Sequence, residues 1–218
     1  MRRMTNLVAA VTAAAAVLLP SAALPVAAAE PCPEVEVIFA RGRVEPPGTG
    51  RIGEAFINAM RARTDKVLDY YAVDYPADVD VSQGANDMSR RIQYMAANCP
   101  NTRLVLGGYS LGAAVTDVVL AAPSPLLGYT NPLPLGMNDH VAAVVLFANG
   151  TRKVFGPVSD VSPLWGEKSI DICAPLDPIC NDSMDANEWL VNWQEHWQPA
   201  YIDSGLVDQG ADFAVARL

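Results

Sequence analysis

Histidine is the scarcest reactive residue in this chain, with two among 218 positions, His140 and His196. Neither stands near a second soft ligand, and the four cysteines include no C-x-x-C pair, so a zinc site of the ordinary kind is excluded. Basic residues are also few, 15 against 24 acidic ones, for a formal net charge of −9. A chain this acidic is poorly matched to nucleic acid or to an anionic lipid surface. A membrane-spanning run is missing as well. The apolar stretch from Leu7 to Leu19 is too short and is followed by Pro20 and Pro25. Without repeats, heptads or a low-complexity linker, a single domain is the simplest organisation, and a monomer is expected.

What the N-terminus does contain is an export pattern: Arg2 and Arg3, the apolar run, then Ala27-Ala28-Ala29 before Glu30. Residues 1–29 are therefore expected to be a signal peptide cleaved near Ala29, leaving a secreted domain over 30–218. Cleavage removes two arginines and no acids, so 13 basic residues would face 24 acidic ones and the charge would become −11. All four cysteines (Cys32, Cys99, Cys173, Cys180) follow the cleavage point. In an exported chain that number points to two disulfides.

Strand-length apolar runs alternate with longer helical patterns. Val35 to Phe39, Val67 to Val73, Arg103 to Leu106, Val141 to Phe147 and Ser169 to Ile172 are the candidate strands. Several are apolar at consecutive positions, as strands covered on both faces must be. Ile52 to Arg63, Val81 to Ala97, Leu111 to Leu120 and Val207 to Arg217 read as helices. The alternation predicts an α/β fold, a parallel sheet with helices on both sides. Between Ala121 and Asn138 four prolines (Pro123, Pro125, Pro132, Pro134) predict irregular chain. That segment is either a surface connection or one wall of a substrate cleft.

Gly108-Tyr109-Ser110-Leu111-Gly112 fits G-x-S-x-G at a junction between a buried strand and an Ala/Val-rich helix. A serine there needs a tight turn with small residues two positions to either side. The turn lifts the hydroxyl to the positive end of the following helix, where the Leu111 N–H can meet a developing oxyanion. Such a nucleophile needs a base. His140 immediately precedes a strand and so lies at the sheet edge opposite Ser110, which predicts an ordinary loop residue. His196 follows the last strand, among Trp189, Trp193 and Trp197, and is the base by elimination. The carboxylate partner should follow the strand ending near Cys173. Asp177, stiffened by Pro175 and Pro178, is favoured; Asp171, Asp182 and Asp185 are its rivals. Cys32 and Cys99 both precede strands, whereas Cys173 and Cys180 lie at the nucleophile's edge. Only the pairing Cys32–Cys99 with Cys173–Cys180 avoids bridging the sheet's full length.

These blocks resemble the cutinase family, in particular its mycobacterial cutinase-like branch. The resemblance rests on Phe39-Ala40-Arg41-Gly42 with Glu45-Pro46-Pro47-Gly48, then Ala72-Val73-Asp74-Tyr75-Pro76 and Cys99-Pro100. It continues through Gly107-Gly108-Tyr109-Ser110, Asp177-Pro178-Ile179-Cys180 and Phe213-Ala214. It implies a small lidless α/β-hydrolase with a five-stranded parallel sheet, two disulfides and a Ser110–Asp177–His196 triad. It also implies a second oxyanion donor, the N–H of Arg43, beside that of Leu111. The chain departs from the family in four places. Arg43 replaces Ser or Thr, Leu111 replaces Gln, and Phe147-Ala148-Asn149-Gly150 replaces Phe-Gly-Asp-Pro. The stretch from Asp177 to His196 is also long.

The expected activity is hydrolysis of short- to medium-chain carboxylic esters through an acyl-enzyme, with no metal or organic cofactor and an ester or lipid as the only implied partner. Two alternatives stand beside it: an esterase for acetylated polysaccharide, and a catalytically weak secreted binding or antigen protein on the same scaffold.

Overall fold

The computed structural model describes residues 32–181, 183 and 188–218. The expected signal peptide up to Ala29, together with Asp182 and Asp185, lies outside the described residues. In chain order the elements begin β1 (Val35–Ala40), α1 (Gly50–Arg61), β2 (Leu68–Ala72), α2 (Ser82–Asn98), β3 (Arg103–Tyr109) and α3 (Leu111–Ala121). They continue with β4 (Val141–Phe147), α4 (Arg152–Phe155), α5 (Val158–Val161), α6 (Pro163–Gly166) and β5 (Ser169–Ile172). The chain ends through α7 (Glu188–Val191), a 3-10 turn (Trp193–His196), α8 (Gln198–Ile202) and α9 (Leu206–Val215). The five strands form one parallel sheet in the order β2-β1-β3-β4-β5.

Because successive strand side chains point to opposite faces, each central strand divides its apolar residues between two cores. Val37, Phe39, Val105, Val145 and Phe147 pack with Phe56 and Met60 of α1 and with Tyr201 and Ala211 from α8 and α9. Ile38, Leu106, Val144 and Leu146 pack with Met88 and Ile92 of α2 and Val115 and Val119 of α3. Helices therefore cover both faces, which is why β1 and β4 are buried at every position. One of those positions is charged. Glu36 is fully buried and accepts from Nε of Arg91 at 2.9 Å and from its Nη2. A buried carboxylate needs such a partner, and the fork of Arg91 satisfies both oxygens.

The expected strands and long helices are present with ends shifted by at most three residues, the largest shift being at the end of β3. β2 is an edge strand, half-buried or exposed throughout, unlike the fully buried β1 and β4. Both disulfides pair as expected, Cys32–Cys99 and Cys173–Cys180.

The chain enters the sheet at β1, turns out to β2, and returns across β1 to β3. Between β1 and β3 the connections leave in opposite directions. A crevice at the carboxyl ends of the strands forms at such a switch point. Gly42 and Arg43 follow β1 there, and Ser110 follows β3.

Candidate active site

Ser110 adopts φ 54° and ψ −114°, a conformation L residues rarely hold. Its neighbours make that turn possible. A Cβ on Gly108 would come within 2.2 Å of the Gly112 carbonyl oxygen, and one on Gly112 within 2.0 Å of the Ala40 carbonyl oxygen. Both glycines are therefore required by backbone approach, and α3 starts directly against β1 and β3. Leu111 is the first residue of α3, so its N–H is one the helix leaves without an internal partner, at the positive end of the dipole.

His196 ends the 3-10 turn and is 7% exposed. Its Nε2 lies 2.8 Å from Ser110 Oγ, and its Nδ1 lies 2.8 Å and 3.0 Å from the two oxygens of Asp177. Asp177 is fully buried inside the ring closed by Cys173 and Cys180. Two further donors reach it, the Ile179 N–H at 2.8 Å and the Tyr201 hydroxyl at 2.5 Å. A carboxylate in this setting only accepts, so Nδ1 carries the imidazole proton and Nε2 is left to accept from Ser110. Burial, and next the charge of Asp177, pushes the Tyr201 hydroxyl far above the usual phenol range, which keeps it a donor. Tyr109 is raised for the same two reasons. Its hydroxyl donates to the His196 carbonyl oxygen, and its ring stacks on the imidazole with centroids 5.6 Å apart. The imidazole is thus fixed through its ring, its carbonyl and its carboxylate partner.

The loop after β1 is braced from within. The buried Arg41 donates to the carbonyl oxygens of Glu45 (2.9 Å) and Tyr75 (2.5 Å), and the Tyr75 hydroxyl donates back to the Arg41 carbonyl oxygen at 2.5 Å. Glu45 accepts from the Gly42 N–H at 2.7 Å, the Arg51 N–H at 3.1 Å and the Gln198 side chain at 3.3 Å. The backbone at Arg43 is held while its side chain is exposed. Behind the backbone N–H groups of Asp80 and Val79, the Arg43 charge helps hold the exposed Asp78 carboxyl below its usual range.

Ser110, His196, Leu111, Arg43, Thr151 and Trp193 are among the residues around a cavity of about 800 Å³. The structure therefore brings together Ser110, Asp177, His196, Leu111 and Arg43. It does not bring in the rivals that can be seen. Asp171 accepts from the Asn149 side chain at 2.8 Å and the Val158 N–H at 3.1 Å, and burial raises its pKa. His140 sits half-buried at the start of β4, the far edge of the sheet. No residue between Ala122 and Asn138 lines the cavity, so that segment is not its wall. Asn149, one of the family departures, is buried and joins two carboxylates, donating to Asp117 and Asp171 at 2.8 Å each. Among the described residues, no three His, Cys, Asp or Glu side chains are grouped so as to hold a metal ion.

A helix-flanked parallel sheet with a serine, an imidazole and a carboxylate aligned at its strand ends defines a serine hydrolase of the α/β-hydrolase class. The chain belongs to the cutinase family, whose model matches residues 31–218. It is 51% identical over 227 residues to the probable carboxylesterase Culp2 of Mycobacterium tuberculosis, covering 100% of this chain and 97% of that one. It is 47% identical over 220 residues to the phospholipase Culp4 of Mycobacterium tuberculosis, covering 100% and 92%. Among solved structures, a cutinase-like protein from Cryptococcus sp. superposes with a TM-score of 0.62 at 25% identity, covering 88% of this chain and 98% of the other.

Proposed function

We propose that this protein hydrolyses carboxylic esters of short- to medium-chain acyl groups through an acyl-enzyme, with Ser110 as nucleophile. Ser110 Oγ attacks the ester carbonyl as His196 Nε2 takes its proton. The proton passes to the leaving alkoxide as the acyl–oxygen bond breaks. Water then enters by the same route, and acid and free Ser110 are released. Asp177 keeps the imidazole in one tautomer and balances its charge when it is protonated. The N–H groups of Leu111 and Arg43 hold the tetrahedral oxyanion. The observation that carries this reading is the unbroken chain from Ser110 Oγ through His196 to Asp177, with contacts of 2.8 Å on both sides of the ring. The names carboxylesterase and phospholipase borne by its relatives support ester and lipid substrates.

Residues 1–29 act as an export signal cleaved near Ala29, and the mature enzyme works outside the cytoplasm as a monomer. Two disulfides suit an oxidising compartment, and no helix among the described residues is long and apolar enough to cross a membrane. Incubation with a fluorophosphonate followed by intact-mass analysis tests the reading. One adduct is expected on the wild type and none on Ser110→Ala, whose turnover of p-nitrophenyl butyrate should fall by about 10⁴-fold or more. A wild type that takes no adduct, or a Ser110→Ala variant that labels equally, overturns it.

A further inference from the structure

A second cavity, of about 200 Å³, lies along the flank of α3. Val118, Leu120, Ala121, Leu126, Phe155 and Val158 supply most of its lining. Few polar groups stand beside it: Asp117, Thr151 and Ser162. Thr151 donates its hydroxyl to Asp117 Oδ2, which also accepts from Asn149, while Asp117 Oδ1 has no hydrogen-bond partner but is sealed from solvent. What the cavity presents is hydrocarbon. Its rim carries Phe155 and Leu126, which are 69% and 54% exposed.

The two cavities lie side by side along α3. Thr151 lines both. Ala114 of α3 lines the cavity at Ser110, while Asp117 and Val118 line the second. Residues three and four apart occupy one helix face, so the lining continues one turn further down the same face. From Ser110 to Val118 the helix advances about 12 Å. An ester held at Ser110 with a short acyl group ends before that point, and a long one reaches it.

We infer that the cavity beside Val118, Leu126 and Phe155 receives the distal methylenes of long acyl chains whose ester is held at Ser110, and so sets preference among lipid esters. This rests on the ester-hydrolase reading above. An alkyl chain is the occupant because the lining is almost wholly apolar and because the cavity adjoins the ester site at Thr151.

Two variants test it on p-nitrophenyl butyrate and p-nitrophenyl dodecanoate. Ala121→Trp fills the cavity from an exposed helix end, and Phe155→Asp puts a charge on its rim. Leu135→Asp, at a position 97% exposed and outside the lining, is the control. Both cavity variants should keep kcat/KM on butyrate within about twofold and lose about tenfold on dodecanoate, as expected from withdrawing roughly two methylenes from apolar contact. The control should leave the ratio unchanged. Equal losses on both esters, or no loss on either, overturn the assignment while leaving the esterase intact. A wild type that hydrolyses neither ester and takes no fluorophosphonate fails the ester-hydrolase reading itself, and the cavity assignment with it.

Discussion

Tyr201 shows how much of the site is done by a residue that never meets substrate. It is fully buried, donates to Asp177 and accepts the Ala174 N–H at 3.2 Å. Removing its hydroxyl withdraws a charge-assisted hydrogen bond from Asp177, which keeps the Ile179 N–H and the imidazole. Tyr201→Phe should therefore lower kcat on p-nitrophenyl butyrate by about tenfold with KM nearly unchanged. Steady-state kinetics at fixed pH, with circular dichroism as a check on folding, measures it. An unchanged kcat would show that the hydroxyl only fills space. Ser110 and His196 were legible because each is set apart by scarcity or pattern: one glycine-flanked elbow, two histidines in the chain. Tyr201, Arg41 and Glu45 were not, because part of each role lies in contacts 24 or more residues away, as between Gln198 and Glu45, 153 positions apart, which no local pattern announces. A tyrosine in an apolar stretch reads as core, and Tyr201 is also core.

At the level of elements, the two disulfides make unlike contributions. Cys173–Cys180 closes a loop with a sequence separation of 7 around Asp177, and Cys32–Cys99 closes one of 67 at the opposite edge of the sheet. Chain entropy assigns the short loop about 2 kcal/mol of stability and the long one about 4 kcal/mol. The double variant Cys32→Ser/Cys99→Ser should thus lose more stability in urea denaturation yet keep its kcat in the native state. Cys173→Ser/Cys180→Ser should lose less stability and fall severalfold in kcat, since Asp177 is no longer held in a closed ring. Matching kinetic losses in both pairs would show that the short ring does not position the carboxylate. Element types were readable where apolar residues run together, as in β1 and β4. The place of a strand within the sheet was not, because β2 becomes an edge through what lies beside it and not through its own composition. Nor were α4, α5 and α6, each four residues long and too brief for a helical period to show.

Across the whole molecule, stability should carry the mark of buried carboxyl groups. Burial pushes the pKa of Asp117 up to about 6 and raises that of Asp171 in the same direction. A carboxyl whose folded pKa lies above its unfolded value keeps its proton in the folded state after the unfolded chain has lost it. Its contribution to stability therefore declines as pH rises from about 4 to about 6 and is constant above. Asp78 and Asp80, exposed and lowered chiefly by hydrogen bonding, act in the other sense and only below about pH 4. Urea denaturation of wild type and Asp117→Asn at pH 4.5, 5.5 and 6.5 should show the variant gaining on the wild type as pH rises. A difference that stays flat across those three conditions would refute the assignment. The joining of Ser110 to His196 over 86 positions has a consequence for synthesis. A nascent polypeptide displays its hydroxyl long before its imidazole emerges, so on the proposed mechanism a product that stops short of His196 should be chemically silent toward esters.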